Sequence, residues 1–183
     1  MMKRMRALRA AAAIAAVLLG GAGAVAVAAP ASAGVVGSCH RYQFFSSRLE
    51  MTVVDNADGG RIVQQWPTPD PKFTWCLLAA GGTVTPEGPF LLQNQWSTGC
   101  LATDGVSGHR LQQRPCNRNL PIEQWFIVRY ANWNGQDLSY LANVQTGDLV
   151  NVGGGSLADG AEIIGWHLWP RTTPADNELV FEI

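Results

Sequence analysis

The chain states nearly the same message three times, at intervals of about fifty residues, and a repeat of that length decides the architecture before any other feature does. The first copy runs YQFFSSRLEMTVVDNADGGRIVQQWPTPDPKFTWCLL from Tyr42, and the second runs LLQNQWSTGCLATDGVSGHRLQQRPCNRNLPIEQWFIV from Leu91. The third runs YLANVQTGDLVNVGGGSLADGAEIIGWHLWPRTTPADNELVFEI from Tyr140. In this alignment Thr52, Ala102 and Asn151 coincide, as do Trp66, Arg114 and Trp166, and then Trp75, Trp125 and Val180. Three copies without a fourth predict a closed threefold object rather than an open array.

Each copy has the same internal order. A short apolar run leads to a Ser/Thr/Gly turn (Ser46-Ser47, Ser97-Thr98-Gly99, Thr146-Gly147), and a second β-rich run follows. A loop holding Asp-Gly comes next: Asp58-Gly59, Asp104-Gly105 and Asp159-Gly160. A third run (Arg61 to Trp66, His109 to Gln113, Ala161 to Trp166) and a polar loop lead to a fourth, near Trp75, Trp125 or Val180. Short runs at regular spacing with turn signals between them predict an all-β chain. No segment past the N-terminal region carries an apolar period of 3.6, so helix is expected only as single turns.

Residues 1–33 are expected to lie outside this fold. Lys3, Arg4, Arg6 and Arg9 precede an Ala/Val/Leu run from Ala10 to Ala29, and Ala31-Ser32-Ala33 offers a small-residue cleavage site. Together they predict a signal peptide and a secreted product. A membrane anchor is the competing reading, but the run is rich in Ala and Gly and only weakly hydrophobic. Cleavage after Ala33 leaves 150 residues, with 9 basic against 14 acidic side chains and a formal charge of −5. That size suits one domain over 34–183. That charge opposes nucleic acid or an anionic membrane as partner, since phosphate binding needs a basic stripe.

Four cysteines in an exported chain predict two disulfides, with three possible pairings. The repeats favour Cys39 with Cys76, which ties the N-terminus to the fourth strand of copy one. They favour Cys100 with Cys116, on neighbouring strands of copy two. A metal site is disfavoured because neither a CxxC pair nor clustered histidines occur.

On these residues the chain resembles the ricin B-type lectin family, the β-trefoil built of Gln-x-Trp repeats. The segment TGDLVNVGGGSLADGAEIIGW of copy three is similar to the family's Gly-Lys-x-Leu-Asp-Val … Asp-Gly-x-x-Val-x-x-Trp run. STGCLATDG … LQQRPC in copy two carries the family's cysteine pair, while the Gln-x-Trp signature is eroded to Phe73-Thr74-Trp75, Glu123-Gln124-Trp125 and Glu178-Leu179-Val180. The resemblance implies a pseudo-threefold β-trefoil with twelve short strands, six in a barrel and six in a hairpin cap. The repeats then span approximately residues 40–80, 90–130 and 139–183, with Trp75, Trp125, Val180 and Phe181 in the core.

The resemblance also implies a carbohydrate-binding, non-catalytic module needing no cofactor, with a glycan as partner and a monomer as the expected state. The family places an Asp in the second strand, an aromatic at the end of the third, and an Asn before the fourth. A carboxylate or amide engages vicinal hydroxyls, and a ring covers the sugar's apolar face. Copy three supplies Asn151, Trp166 and Asn177, with Glu178 in place of Gln, and is the expected site. Copy one supplies Gln64 and Trp66 as weaker candidates, with Thr52 where the carboxylate belongs, Lys72-Phe73 at the Asn-Gln pair, and Asp55 as a possible substitute. Copy two has Ala102, Arg114 and Ile122, and reads as inactive. The alternative is a trefoil that binds or inhibits a protein, with degenerate sugar pockets. Trp96, Trp133 and Trp169 lie in polar or loop contexts, and a shared exposed face among them would favour binding without saying what is bound. Catalysis finds little support. His40, His109 and His167 lack a nucleophile partner in their own motifs, and Gly154-Gly155-Ser156-Leu157-Ala158 imitates a nucleophile elbow without the helix that should follow. Glu123 and Glu178 paired with Asp104 or Asp159 could be read as a glycosidase pair, but turn or edge roles suit them better under this fold.

Overall fold

A computed structural model describes residues 36–81, 85–86, 88–168 and 170–183. The expected signal peptide over 1–33 and Trp169 lie outside the described residues. Copy one contributes β1 (Cys39–His40), β2 (Tyr42–Phe44), β3 (Glu50–Val53), β4 (Ile62–Gln65) and β5 (Trp75–Ala79). Copy two contributes β6 (Phe90–Asn94), β7 (Cys100–Ala102), β8 (Gln112–Arg114) and β9 (Trp125–Trp133). Copy three contributes β10 (Gln136–Asn143), β11 (Asp148–Val152), β12 (Ile163–His167) and β13 (Val180–Glu182). The helical content among the described residues is four single 3-10 turns, three of which (Pro71–Phe73, Pro121–Glu123, Asp176–Glu178) lead into a fourth strand.

The pairing is antiparallel throughout. The first and fourth strands of the copies form one set through β5–β6, β6–β9, β9–β10, β10–β13 and β13–β2. The second and third strands form three hairpins, β3–β4, β7–β8 and β11–β12. This is the six-plus-six plan of a β-trefoil with one strand more than the expected twelve. The addition is β1, which lies against β5 with Cys39 opposite Cys76.

One copy cannot bury its own apolar face, so the core is assembled in layers of three. Met51, Leu101 and Val150 are buried at equivalent places, as are Ile62, Leu111 and Ile163. Trp75, Trp125 and Val180 form a third layer, each fully buried. Such an indole hides about 200 Å², worth roughly 5 kcal/mol of transfer free energy as an upper figure. Its N–H must still find an acceptor. Trp75 Nε1 donates to Met51 O at 3.2 Å and Trp125 Nε1 to Leu101 O at 2.9 Å, the same bond in two copies. Val180 has no polar atom to satisfy there.

Neighbouring copies are clamped by a second recurring device. Gln64 Nε2 donates to Ser156 O and Ala158 O, and Gln113 Nε2 donates to Asp55 O and Ala57 O. Each glutamine thus holds the second-to-third-strand loop of the adjacent copy. The backbone repeats the contact, with Gly160 N donating to Gln64 O, Gly59 N to Gln113 O and Gly108 N to Gly165 O. Gly59, Gly108 and Gly160 all have positive φ, near +80°, which glycine adopts without a Cβ penalty. The sequence alignment placed Gly105 opposite Gly59 and Gly160. The structure puts Gly108 there, because the position is defined by this cross-copy bond and not by the Asp-Gly pair.

Both disulfides favoured by the repeats are formed, Cys39–Cys76 and Cys100–Cys116. No helix among the described residues is long and apolar enough to cross a membrane.

Candidate functional site

Strand register fixes which side chains each copy offers at its second and third strands. Leu149 lies opposite Trp166, Cys100 opposite Arg114 and Glu50 opposite Gln65. The residue of copy one equivalent to Trp166 is therefore Gln65. Trp66 lies one residue further on, beyond β4, and is 65% exposed. Gln64, the other weaker candidate, is fully buried as the clamp between copies described above, with Oε1 accepting from Ser47 Oγ at 2.7 Å. A one-residue shift in an extended chain moves a side chain to the opposite face, which accounts for both placements.

The pocket positions of copy one are spent internally. Thr52 Oγ1 donates to Lys72 O at 3.0 Å, and Lys72 Nζ donates to Gln65 Oε1 at 3.2 Å. Asp55 does not substitute for the missing carboxylate, since its Oδ1 caps its own loop at Ala57 N. In copy two, Ala102 and Ile122 carry no polar side-chain atom. Burial pushes the pKa of Glu123 above the usual carboxylate value, and the Arg114 charge is one of the smaller effects that hold it down.

Copy three is organised differently. Asn151, Trp166, Asn177 and Glu178 surround one open cleft of about 240 Å³, together with Gly154, Gly155, Ile164, Arg171 and Ala175. The 3-10 turn Asp176–Glu178 presents Asn177, whose Nδ2 donates to Asn151 Oδ1 and to Val152 O, each at 3.0 Å. Asn151 Nδ2 in turn donates to Glu178 Oε1 at 2.9 Å. Glu178 is fully buried, and its carboxylate is filled on all sides. Arg171 donates from Nη1 to Oε2 at 2.9 Å and from Nη2 to Oε1 at 2.5 Å, while Ala175 N donates to Oε2 at 2.7 Å. This bidentate pairing raises the Arg171 pKa above its ordinary value. Glu178 orients Asn151 from beneath, and the cleft is walled by Trp166 and Asn177.

Trp166 is 46% exposed and held from behind. A Cβ on Gly108 would lie 3.3 Å from the indole, so the copy-two turn packs against the ring with no side chain between. The strand end is pinned on both sides, by His167 N donating to Ser107 Oγ at 3.0 Å and by an ion pair of His167 with buried Asp148. Asp148 fits because Gly165 stands where the other copies carry Gln64 and Gln113, leaving space that its carboxylate occupies at 3.4 Å from a Gly165 Cβ position.

Several functional residues were not legible in the sequence. Arg171 lies seven residues before Glu178 in a loop without periodicity. The available signal was Glu178 itself, since a charge in place of a neutral Gln needs a counter-charge when buried. Gly108 as a brace for Trp166 carried no signal within its own copy.

The residues considered for catalysis have other occupations. His40 pairs with Glu182, and His109 with Asp104, whose pKa is lowered first by that hydrogen bond. Ser156 Oγ accepts from Ala158 N in a β-loop, and buried Glu123 accepts from Asn117 N. No group of three or more His, Cys, Asp or Glu among the described residues is placed to hold a metal ion. Trp133 packs edge-on against Phe45 at 5.2 Å.

Solved structures with this fold define the class. The designed threefold-symmetric protein ThreeFoil matches with a TM-score of 0.66 at 18% identity, covering 79% of this chain and 97% of its own. The ricin B-like lectin of Macrolepiota procera, solved in complex with lactose, matches at 0.62 and 16% identity over 81% of this chain and 96% of that one. The exo-β-1,3-galactanase 1,3Gal43A of Clostridium thermocellum matches at 0.66 and 17% identity over 79% of this chain, but over 30% of the enzyme. The fold is therefore a β-trefoil. The family model for ricin-type beta-trefoil lectin domain-like proteins matches residues 74–166, and the chain belongs to that family. No curated protein sequence matches it.

Proposed function

We propose that the protein is a secreted, non-catalytic carbohydrate-binding module, a single domain over 34–183, and that it takes its sugar in the copy-three cleft. The observation that carries this reading is the half-exposed indole of Trp166, rigidly backed and set beside a preorganised Asn151–Asn177 amide pair. A pyranose laid on the ring covers it with C–H groups, while its hydroxyls meet the edge of Asn177. Asn177 Oδ1 accepts no hydrogen bond among the described residues and is the outward acceptor. Asn151 is 6% exposed and acts chiefly by holding Asn177 in place. The site offers amides where the family has a carboxylate toward the ligand, so the bonds that Asn177 makes are neutral and each is about half as strong as a charge-assisted one. The −5 formal charge and two disulfides accord with an exported protein that does not bind nucleic acid.

The test is a glycan array with insoluble polysaccharides, using oxidised protein and Trp166→Ala in parallel. Binding that free sugar competes away, and that the variant loses, is the expected result. A folded sample with both disulfides formed that retains no glycan would sink this reading and direct attention to a protein target.

A further inference from the structure

The structure assigns Trp66 a place that no single-copy pocket explains. It is the most exposed tryptophan among the described residues, at 65%, and it follows the third strand of copy one. Its backbone N–H donates to Asp159 Oδ1 of copy three at 2.9 Å. The Trp66 backbone is thus tied to the far end of the loop whose near end, Gly154 and Gly155, lines the copy-three cleft. Between those ends in the sequence lies Leu157, also 65% exposed.

Two features suit this stretch to an extended occupant. Gly154 and Gly155 give the cleft a rim without side chains, and a Cβ at Gly154 would meet nothing within 4 Å. The loop is also fixed rather than pliant. Gln64 holds Ser156 O at 2.9 Å and Ala158 O at 3.0 Å, and Ala158 N donates to Ser156 Oγ. The four steps from Gly155 to Asp159 span at most roughly 14 Å of chain, the scale of a few linked sugar rings. An occupant must present apolar faces at intervals to Trp166, Leu157 and Trp66, and hydroxyls to the polar edges between them. A linear oligosaccharide does this, and a platform fixed in advance loses little entropy on binding it.

Resting on the reading of the copy-three cleft as a sugar site, we infer that the ligand is an extended oligosaccharide, with one ring in that cleft and the chain running over Gly154–Gly155 to Trp66. The probes are matched linear series of glucose, galactose, mannose and N-acetylglucosamine oligomers, from monosaccharide to hexasaccharide, titrated calorimetrically. Wild-type protein is compared with Trp66→Ala, Leu157→Ser and Trp166→Ala, and with Trp96→Ala as an exposed tryptophan off the track. For at least one series, wild type should gain affinity with length. Trp66→Ala should lose about tenfold on the longer oligomers and nothing on the monosaccharide. Leu157→Ser should lose less in the same pattern, Trp166→Ala should lose binding at every length, and Trp96→Ala should match wild type. Length-independent affinity, or a Trp66→Ala variant that holds the hexasaccharide as wild type does, overturns the extended track and leaves the cleft intact. Absence of binding to every series by wild type overturns both.

Discussion

The most discriminating perturbation is Asn151→Asp, which installs the acidic residue that the ricin B-type pattern carries at this strand position. By resemblance alone it should be benign. In this structure it sets a carboxylate in place of the Asn151 Nδ2 that donates to Glu178 Oε1 at 2.9 Å, within a group that is fully buried. Two unit charges at that separation repel by roughly 6 kcal/mol with an effective dielectric constant of about 20. The protein has a cheaper escape, since one carboxyl can take up a proton. Holding a group of ordinary acidity protonated at about pH 7 costs near 3 units at 1.36 kcal/mol each, or about 4 kcal/mol. Arg171 already donates to both Glu178 oxygens and reduces this somewhat, so a loss of about 3–4 kcal/mol is expected near neutrality. The sign with pH follows directly. The shared proton is bound more tightly in the folded than in the unfolded chain, so the penalty shrinks as pH falls toward about 4. Glu178→Gln on the same background removes the like-charge repulsion and lets an amide N–H face the new carboxylate, although that amide then also faces Arg171 Nη2, which donates to Glu178 Oε1 in the native protein. Asn151→Asp/Glu178→Gln should therefore recover about 2 kcal/mol of the loss, a coupling of the size that contacting polar pairs show. Urea unfolding of the four proteins of this cycle, near pH 7 and pH 4.5, measures all of these terms. An Asn151→Asp protein as stable as wild type at neutral pH, or a double variant no better than the single one, would refute the donor–acceptor assignment on which the site rests.

Three further outcomes are expected. Gln64→Leu removes the clamp on Ser156 O and Ala158 O and should cost about 2 kcal/mol, with faster amide exchange over residues 156–160; unchanged exchange there would show that the side chain is not what holds the loop. The Glu123 carboxyl titrates above its ordinary value of 4.5 in the folded chain, mainly through burial, so folding is penalised increasingly as pH rises through that folded value. Glu123→Gln should raise Tm relative to wild type by an amount that grows from acid to neutral pH, and a pH-independent difference would contradict this. Replacing both cysteines of a disulfide by Ala should cost about 4 kcal/mol for Cys39–Cys76 and about 3 kcal/mol for Cys100–Cys116, by loop-closure entropy over 37 and 16 residues, read by denaturant unfolding.

The threefold plan was legible because its cause is local. Alternating apolar runs, turn residues and a repeated spacing are written along the chain, and the layers Met51/Leu101/Val150 and Trp75/Trp125/Val180 follow from aligning the copies. Four of the nine residues around the copy-three cleft, Asn151, Trp166, Asn177 and Glu178, were legible for the same reason, since they occupy repeat positions. Register at the end of the third strand was not. Loops of different length separate the paired strands in the three copies, and sequence alignment spreads that difference as gaps, which placed Trp66 where Gln65 stands and Gly105 where Gly108 stands. Hydrogen bonding admits no such freedom.

What the sequence determined by itself is a closed threefold all-β chain, its core and its pairing of cysteines, because each depends on the order and spacing of residues within a copy, while the β-trefoil plan came with the family resemblance that those residues carry. What only the tertiary structure decided is everything that one copy does for another. Gly108 of copy two backs Trp166 of copy three, Gln64 of copy one fixes the copy-three loop, and Trp66 stands at the end of that loop rather than in a pocket of its own. These contacts join residues up to 94 positions apart, as in the bond from Gln64 to Ala158. They arise because closing three copies around an axis brings each loop against its neighbour, a proximity that no spacing within a single copy encodes.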